Sequence, residues 1–454
     1  MPAPVLKDTT MNRSALPRRL RPALTLLAVL AGCSATTGPV QQAPAAAVAP
    51  AAQPAAAPAP AAAPMAAAAP AAPVPAARPP SANPTFEAPA PVRFEDSIAR
   101  AGGDLFAQAR NQLGGEARAI VVDPLIDANT GAQTVSTARM GEQLESIVKG
   151  RYTNWAVKPL TRQALAEKPL LLIGTLTPVN VERAVDTPPD AFRVWLTLID
   201  LRTGKVIAKQ IDRATVNSVN PEPLKYYADS PTWHKDKTVL GYINSCQINT
   251  RIGDAADPEY LQRLPAAAVV NEAIMAYGEG KLPVAQKLYK EAETLADRGD
   301  LRVLNGLYLT SWQLGQRDEA RDAFGKLVAS GLELKRLPVK ILFQPGRTSF
   351  NAVGDLPQQY QLWLSTIAQQ TGRADACVRI VGHTSRTGSA SVNERLSRQR
   401  AEAVQKMLET TNRSLSTRLT AAGVGSKEAL VGLGTDDQRD ALDRRVEFRV
   451  VDCV

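Results

Sequence analysis

Residues 382–404, GHTSRTGSASVNERLSRQRAEAV, decide the fold of the last quarter of this 454-residue chain. The segment Cys377–Val381 before it is mostly apolar, which favours a strand. Gly382–Gly388 is rich in Gly, Ser and Thr, which is typical of a turn. Asn393–Leu408 has the apolar spacing of an amphipathic helix, with Asn393 or Ser391 as its expected cap. The stretch therefore predicts strand, turn and helix in succession.

A helical wheel of this segment places a cation inside the apolar stripe. Ala403, Met407, Arg400 and Val404 fall within about 80° of Leu396. Arg398 falls on the opposite side and is expected to face solvent. Because a guanidinium cannot lose its charge, a buried Arg400 needs an anion. That anion is either an internal carboxylate or a ligand carboxylate, the latter also held by amides at the helix start.

Together with LDRRVEF at 442–448, this stretch strongly resembles the OmpA-like peptidoglycan-binding family over roughly the last 115 residues. The family pattern is GHTD-x-x-G, then N-x-x-LS-x-x-RA, then NRRV. The resemblance implies a βαβαββ sandwich with two helices on one face of a mixed sheet. Strands at Val339–Phe343 and Arg445–Val451 and a helix at Gln358–Gln370 agree with it, whereas residues 419–424 have no clear pattern.

The resemblance also implies a ligand, the diaminopimelate of a peptidoglycan stem peptide. Carried over by position, Arg400 would bind its carboxylate. The residues that would line the same pocket are Thr384, Ser385, Thr387, Asn393 and Arg444. In the family's sheet the last strand lies antiparallel beside the second, which implies a Cys377–Cys453 disulfide in an oxidising compartment.

Two residues depart from the family pattern. Ser385 stands where the family has an aspartate, and Asp443 stands for the asparagine of NRRV. The missing carboxylate would have paired with the ligand ammonium, and its loss costs about 1.5–3 kcal/mol. Three alternatives follow: weaker binding, another use of the pocket, or a replacement acid among Asp436, Asp437 and Asp443.

The N-terminus has the pattern of a bacterial lipoprotein signal. Four arginines in 13–21 precede a short apolar run, which is too short to span a bilayer comfortably. Leu30-Ala-Gly-Cys33 resembles a lipobox, which implies cleavage before Cys33 and acylation (diacylglycerol, palmitate) of its thiol. An ordinary signal peptide is the alternative. Ser34 favours the outer membrane, facing the periplasm, and removal of residues 1–32 leaves +5 of the formal charge of +9.

Residues 33–93 are predicted to be a disordered Ala/Pro linker. Residues 41–80 contain 22 Ala and 11 Pro, a composition that blocks helices and cannot build a core. Where polyproline II forms, the reach is roughly 3.1 Å per residue, so the linker could span well over ~100 Å.

Residues 94–250 are predicted to be a periplasmic α/β domain in the order helix, strand, helix and four strands. The order resembles lipoprotein domains of curli secretion and of peptidoglycan-synthase activation. His234 is expected at the surface rather than in a catalytic site. Cys246 is expected to be buried or unpaired, with an intermolecular disulfide as the alternative.

Residues 266–331 contain two segments that repeat at a spacing of 35. Gly280 matches Gly315, Ala285 matches Ala320, and Tyr289 matches Phe324. They resemble tetratricopeptide repeats, and two repeats are expected to lean on a neighbouring domain. A helical spacer is favoured over a peptide-binding groove.

These features predict an α+β multidomain protein with boundaries at 1–32, 33–93, 94–250, 266–331 and 336–454. The leading hypothesis is a non-enzymatic outer-membrane lipoprotein that binds peptidoglycan and tethers the envelope layers. The alternative is a periplasmic regulator or assembly factor in secretion or wall synthesis, with a protein partner on 94–331. With two histidines, no CxxC and no acid/base constellation, we expect no cofactor, no metal and no nucleic acid.

Overall fold

The computed structural model describes residues 89–180, 187–247, 249–296, 300–335 and 337–453. The predicted signal peptide, the lipidation site Cys33 and almost all of the Ala/Pro linker lie outside these residues. Within the described ranges, no helix combines the length and apolar character needed to cross a membrane.

The α/β section, residues 89–247, is built on a mixed sheet. Its helices are α1 (Phe94–Gln112), α2 (Val135–Arg151), α3 (Arg162–Ala166), α4 (Lys225–Asp229) and α5 (Lys237–Cys246). Its strands are β1 (Arg118–Val122), β2 (Ile126–Asp127), β3 (Trp155–Lys158), β4 (Leu170–Val179), β5 (Ala191–Asp200) and β6 (Lys205–Thr215). The strand order is β3-β1-β4-β5-β6, with β2 beside β4. The main predicted elements are present, and β2 and three short helices are added to them.

Helix α1 covers one face of this sheet because its apolar residues recur at helical spacing. Phe94, Ile98, Leu105 and Phe106 are fully buried in one cluster with residues of β1, β4 and β5. Cys246, at the end of α5, is buried and unpaired on the other face, where Tyr242 and Tyr260 also pack.

The helical section contains α6 (Pro258–Gly278), α7 (Leu282–Leu295), α8 (Leu301–Gln313) and α9 (Arg317–Glu333). Equivalent positions of the two repeats are equally buried: Ala285 and Ala320 are inaccessible, as are Tyr289 and Phe324. A Cβ atom on Gly306 would lie 2.2 Å from the ring of Tyr289, so only glycine lets α7 and α8 pack this closely.

The helical section shares a hydrophobic cluster with the C-terminal section. Phe324 of α9 stacks on Trp363, with ring centroids 6.2 Å apart. The indole of Trp363 donates a hydrogen bond to the hydroxyl of Tyr308. The two-repeat segment therefore leans on a neighbour, which supplies the apolar surface that a third repeat would otherwise provide.

The C-terminal section, residues 337–453, has βαβαββ order. Its elements are β7 (Lys340–Leu342), α10 (Leu356–Arg373), β8 (Cys377–Gly382), α11 (Ala390–Thr411), β9 (Leu419–Gly423) and β10 (Arg445–Val451). The sheet order is β7-β10-β8-β9, with β10 antiparallel and β9 parallel to β8. Residues 419–423, which had no clear sequence pattern, form the edge strand β9. The pairing of Val451 with Cys377 brings Cys453 to Cys377, and the two form a disulfide with Cα atoms 5.2 Å apart.

A loop of the α/β section docks beside β7. The amide of Trp233 donates to the carbonyl of Pro338, and the amide of Lys340 donates to that of Pro231. The Lys340 ammonium is buried, donates to the carbonyls of Ser230 and Thr232, and lies over the ring of Trp233.

The docked loop corrects one expectation. His234 is 3% exposed rather than at the surface, because the loop is covered on both sides. Its ring packs against Tyr226 and Tyr227, and burial lowers its pKa well below the usual value.

Candidate functional site

Arg400 lies in the middle of α11, on the face that packs against the sheet. The buried residues of this helix are Asn393, Ser397, Arg400, Ala401, Val404 and Leu408. The apolar stripe is therefore centred closer to Arg400 than the wheel predicted, and Met407 is 42% exposed rather than buried. The helix begins at Ala390, ten residues before Arg400. The free amides of the first helical turn therefore do not lie beside the Arg400 guanidinium.

Gly382 allows α11 to approach the end of β8. A Cβ atom at this position would lie 1.9 Å from the carbonyl oxygen of Ser397. Any residue larger than glycine at position 382 would clash with α11. The close approach brings Arg400 to the turn that follows β8.

The guanidinium of Arg400 is held by three backbone carbonyls. Nε donates to Arg347, Nη1 to His383 and Nη2 to Gln344, each at 2.9 Å. Its flat face rests on the ring of Phe343, 5.1 Å from the centroid. Because a guanidinium has five N–H groups, two remain for another acceptor.

Arg400 is a buried cation whose hydrogen bonds go to uncharged backbone groups. Among the described residues no carboxylate forms an ion pair with it, so the internal-carboxylate alternative is not supported. Burial and the charge of Arg444 lower its pKa to about 10, partly opposed by Asp436. The group therefore stays charged at neutral pH and attracts an anion.

Ser385 is bonded to an acid from another part of the chain. Its hydroxyl donates to Oδ1 of Asp436 at 2.8 Å, and Arg444 Nη1 donates to the same oxygen at 3.1 Å. Ser385 and Arg444 are buried, whereas the Asp436 side chain is 28% exposed. The structure therefore brings three site residues together, including one of the three acids considered as replacements.

The other two acids have different contacts. Asp437 pairs with Arg439 at the surface. Asp443 is inaccessible, and its carboxylate accepts hydrogen bonds from the amides of Leu430, Val431 and Gly432. Its carboxylate therefore stabilises the backbone of residues 430–432.

The remaining predicted site residues lie around the turn after β8. Thr384 is buried, and its Oγ1 has no hydrogen-bond partner in the described chain. Asn393 is buried and donates to the carbonyl of Thr387, whose own side chain is exposed. The cap position of α11 is Ser389, not Ser391 or Asn393, and its side chain makes no cap hydrogen bond.

One functional feature was not predicted: the role of Asp440. Its carboxylate accepts from the amides of Leu433, Thr435 and Asp436, so it fixes the backbone that carries Asp436. Asp residues next to Gly-rich turns commonly bind local amides, and that was the signal available in GLGTDDQRD.

His383, Glu428 and Glu447 lie close enough to hold a metal ion. Glu447 is 3.3 Å from His383 Nε2 but also contacts Arg445 and Arg449. Burial and the charge of Arg445 lower the pKa of His383 to about 4. Because both carboxylate oxygens of Glu447 already accept from arginines and Glu428 pairs with Arg449, the cluster fits an ion-pair network better than a cation site.

A cavity of about 600 Å³ lies where the three sections meet, apart from Arg400 and Asp436. Several of its charged side chains are already engaged: Asp236 pairs with Arg302, and Lys335 pairs with Asp452. The buried guanidinium of Arg400 therefore lies outside this cavity.

Residues 342–442 match the OmpA family. The peptidoglycan-associated lipoprotein of Burkholderia pseudomallei is 26% identical, over 25% of this chain and 89% of that chain, with a TM-score of 0.22. An outer membrane protein of Borrelia burgdorferi is 20% identical, over 25% and 85%, with a TM-score of 0.19. The periplasmic domain of Helicobacter pylori MotB is 18% identical, over 25% and 69%, with a TM-score of 0.21.

No curated protein matches the chain. The C-terminal section is thus an OmpA-like domain, and OmpA-like domains bind peptidoglycan. The similarity covers about a quarter of the chain and does not extend to the α/β and helical sections.

Proposed function

We propose that this protein binds peptidoglycan non-covalently through its OmpA-like domain and tethers the wall to the outer membrane. The observation that carries the proposal is Arg400. It is a charged, buried guanidinium with two N–H groups to spare and no carboxylate partner among the described residues. A carboxylate of a stem peptide would supply the missing anion.

The rest of the chain fits a tether. A lipid anchor on Cys33 would hold the membrane end, and the Ala/Pro linker would span the distance to the wall. The proposed action is binding alone, because a cation, hydroxyls and an acid are groups that hold a charged ligand, and OmpA-like domains bind peptidoglycan.

Co-sedimentation with purified diaminopimelate-containing sacculi tests the proposal. The full-length chain in mild detergent should sediment with the sacculi. Arg400→Lys keeps the charge but cannot reach three carbonyls and a ligand with one ammonium, so we expect at least about tenfold weaker binding.

Arg398→Ala is the matched control, because Arg398 is exposed on the same helix and should sediment like the wild type. Circular dichroism melting of each variant shows whether it is folded. A folded Arg400→Lys protein that sediments as well as the wild type would disprove the assignment.

A further inference from the structure

The site has a cation for a ligand carboxylate, but the turn after β8 has no acid for a ligand ammonium, since Ser385 is neutral. A free amino-acid end carries both charges on one carbon. A site with the cation alone would leave the ammonium without a partner, at a cost of roughly 10- to 150-fold in affinity.

We infer that Asp436, from the loop between β9 and β10, supplies this missing negative charge and binds the ligand ammonium. The inference rests on the proposed function and deepens it. It adds to that function the residue that meets the ammonium of the diaminopimelate end.

The geometry of Asp436 supports this role. Oδ1 accepts from Ser385 and Arg444, which fixes the carboxylate over position 385. Oδ2 accepts no hydrogen bond from any residue within the described ranges, and the side chain is partly exposed. The carboxylate is thus anchored through one oxygen and open through the other, as ammonium binding requires.

The two arginines of the site differ in a way that assigns the two ligand charges. Arg444 already has a carboxylate partner, Asp436, whereas the hydrogen bonds of Arg400 to the described residues all go to backbone carbonyls. The ligand carboxylate therefore goes to Arg400. The buried Thr384 Oγ1, which lacks a partner among the described residues, is a further polar group available to the ligand.

The backbone at Asp436 is held in an uncommon conformation. Its φ is +56°, a left-handed value that costs a non-glycine residue free energy, although Asp tolerates it better than most. Asp440 stabilises it by accepting from the amides of Thr435 and Asp436. The hydrogen bonds of Asp440 therefore hold the backbone of this loop in the conformation that brings the Asp436 carboxylate to Ser385.

The α/β section holds the same loop from outside. Asn129 donates to the carbonyl of Leu430 at 3.0 Å, and Leu433 packs against the apolar cluster of the α/β section. On the inner side, Asp443 accepts from the amides of Leu430 and Gly432. Asn129 is thus a positioning residue for an acid on a different section of the chain.

Three stem peptides test the inference on the full-length protein by calorimetric titration. They are L-Ala–γ-D-Glu–X-amides in which X is diaminopimelate, 2-aminopimelate or lysine. The three differ only at the far end of X, which carries both charges, the carboxylate alone, or the ammonium alone. Binding of the diaminopimelate peptide by the wild type tests the proposed function independently of Asp436.

Asp436→Asn should weaken the diaminopimelate peptide by about 10- to 150-fold, because it removes a charge-assisted contact. It should change 2-aminopimelate binding less than about threefold, since that peptide has no ammonium to lose. Asp437→Asn removes the same charge one residue away and should leave both affinities unchanged. Adding Ser385→Asp to Asp436→Asn should restore binding of diaminopimelate.

Two results would overturn the inference while the proposed function stands. One is an Asp436→Asn protein that binds the diaminopimelate peptide like the wild type. The other is an equal loss for the diaminopimelate and 2-aminopimelate peptides, which would make Asp436 only a support for the pocket. A wild type that binds none of the three peptides would overturn the proposed function, and the inference with it.

Discussion

The two halves of the candidate site are held in different ways. Arg400 extends from the middle of a 22-residue helix, and its guanidinium is bonded to three carbonyls. Asp436 lies on a loop, has a left-handed backbone, and depends on Asp440 for its position. The cation is part of the packed core of the OmpA-like domain, whereas the acid is presented by contacts that reach into another section.

Because of this difference, we expect changes at Arg400 to affect both the stability of the fold and ligand affinity, and changes at Asp436 to affect mainly ligand affinity. A residue that satisfies buried carbonyls contributes to folding as well as to binding, so its ligand role and structural role are lost together. A partly exposed acid on a braced loop can change with little effect on folding. If a loop acid takes the role of the family's acid at position 385, as proposed, we expect the fold of the domain to be unaffected.

The largest expected effect is on the stability of the cation half. Arg400→Met leaves the carbonyls of Gln344, Arg347 and His383 without a donor, although it also removes the cost of burying a charge. We expect the free energy of unfolding to fall by about 2–4 kcal/mol, measured by urea denaturation.

Asp436→Asn should lower the same free energy by less than about 1 kcal/mol, because an amide oxygen can still accept from Ser385. Equal losses in the two variants would remove the contrast between the halves.

A smaller effect concerns the contact between the α/β section and β7. Burial lowers the pKa of Lys340 from 10.5 to about 7. Between these values the unfolded chain binds a proton that the folded protein lacks, so stability rises with pH by at most about 1.4 kcal/mol per unit. This contribution is complete above pH 10.5 and is lost as the pH falls through about 7.

Urea denaturation at pH 6, 7.5 and 9 checks this dependence as the difference between wild type and Lys340→Met. The difference should grow in favour of the wild type as the pH rises. Lys406→Met, at an exposed position on α11, is the control and should show no such slope. A difference that is constant from pH 6 to pH 9 would show that Lys340 keeps its ordinary pKa.

The smallest expected effect is at Asn129. Asn129→Ala removes one hydrogen bond from the α/β section to Leu430, in the loop between β9 and β10 that carries Asp436. We expect the affinity for the diaminopimelate stem peptide to fall about two- to fivefold, with 2-aminopimelate binding unchanged. Asn154→Ala removes a similar bond inside the α/β section and should alter neither affinity. A loss shared by both peptides would indicate a general disturbance of the domain.

The helix-borne half of the site could be predicted from the sequence, because helical spacing reports burial. Arg400 lies in the apolar stripe as expected, although the wheel was centred too far toward Met407. The loop-borne half could not be predicted, since Asp436, Asp437 and Asp443 are equivalent until the backbone is known. Only the fold reveals that Asp443 faces inward and that Asp436 reaches Ser385.

Contacts between sections were also beyond the sequence. His234 looked like a surface residue because its own loop is polar, and it is buried because its ring packs against Tyr226 and Tyr227 and its loop docks beside β7. By contrast, the order of strands and helices in the α/β section followed from local periodicity, and the repeat spacing of 35 placed Tyr289 and Phe324 at equivalent buried positions.

The most direct test is co-sedimentation of the wild-type chain with two kinds of sacculi, one with diaminopimelate in its stem peptides and one with lysine. The proposed site needs both a carboxylate, for Arg400, and an ammonium, for Asp436. A lysine side chain offers only the ammonium. We predict binding to the diaminopimelate wall and at least about tenfold weaker binding to the lysine wall. Equal binding to both walls would contradict a site that recognises the two charges together.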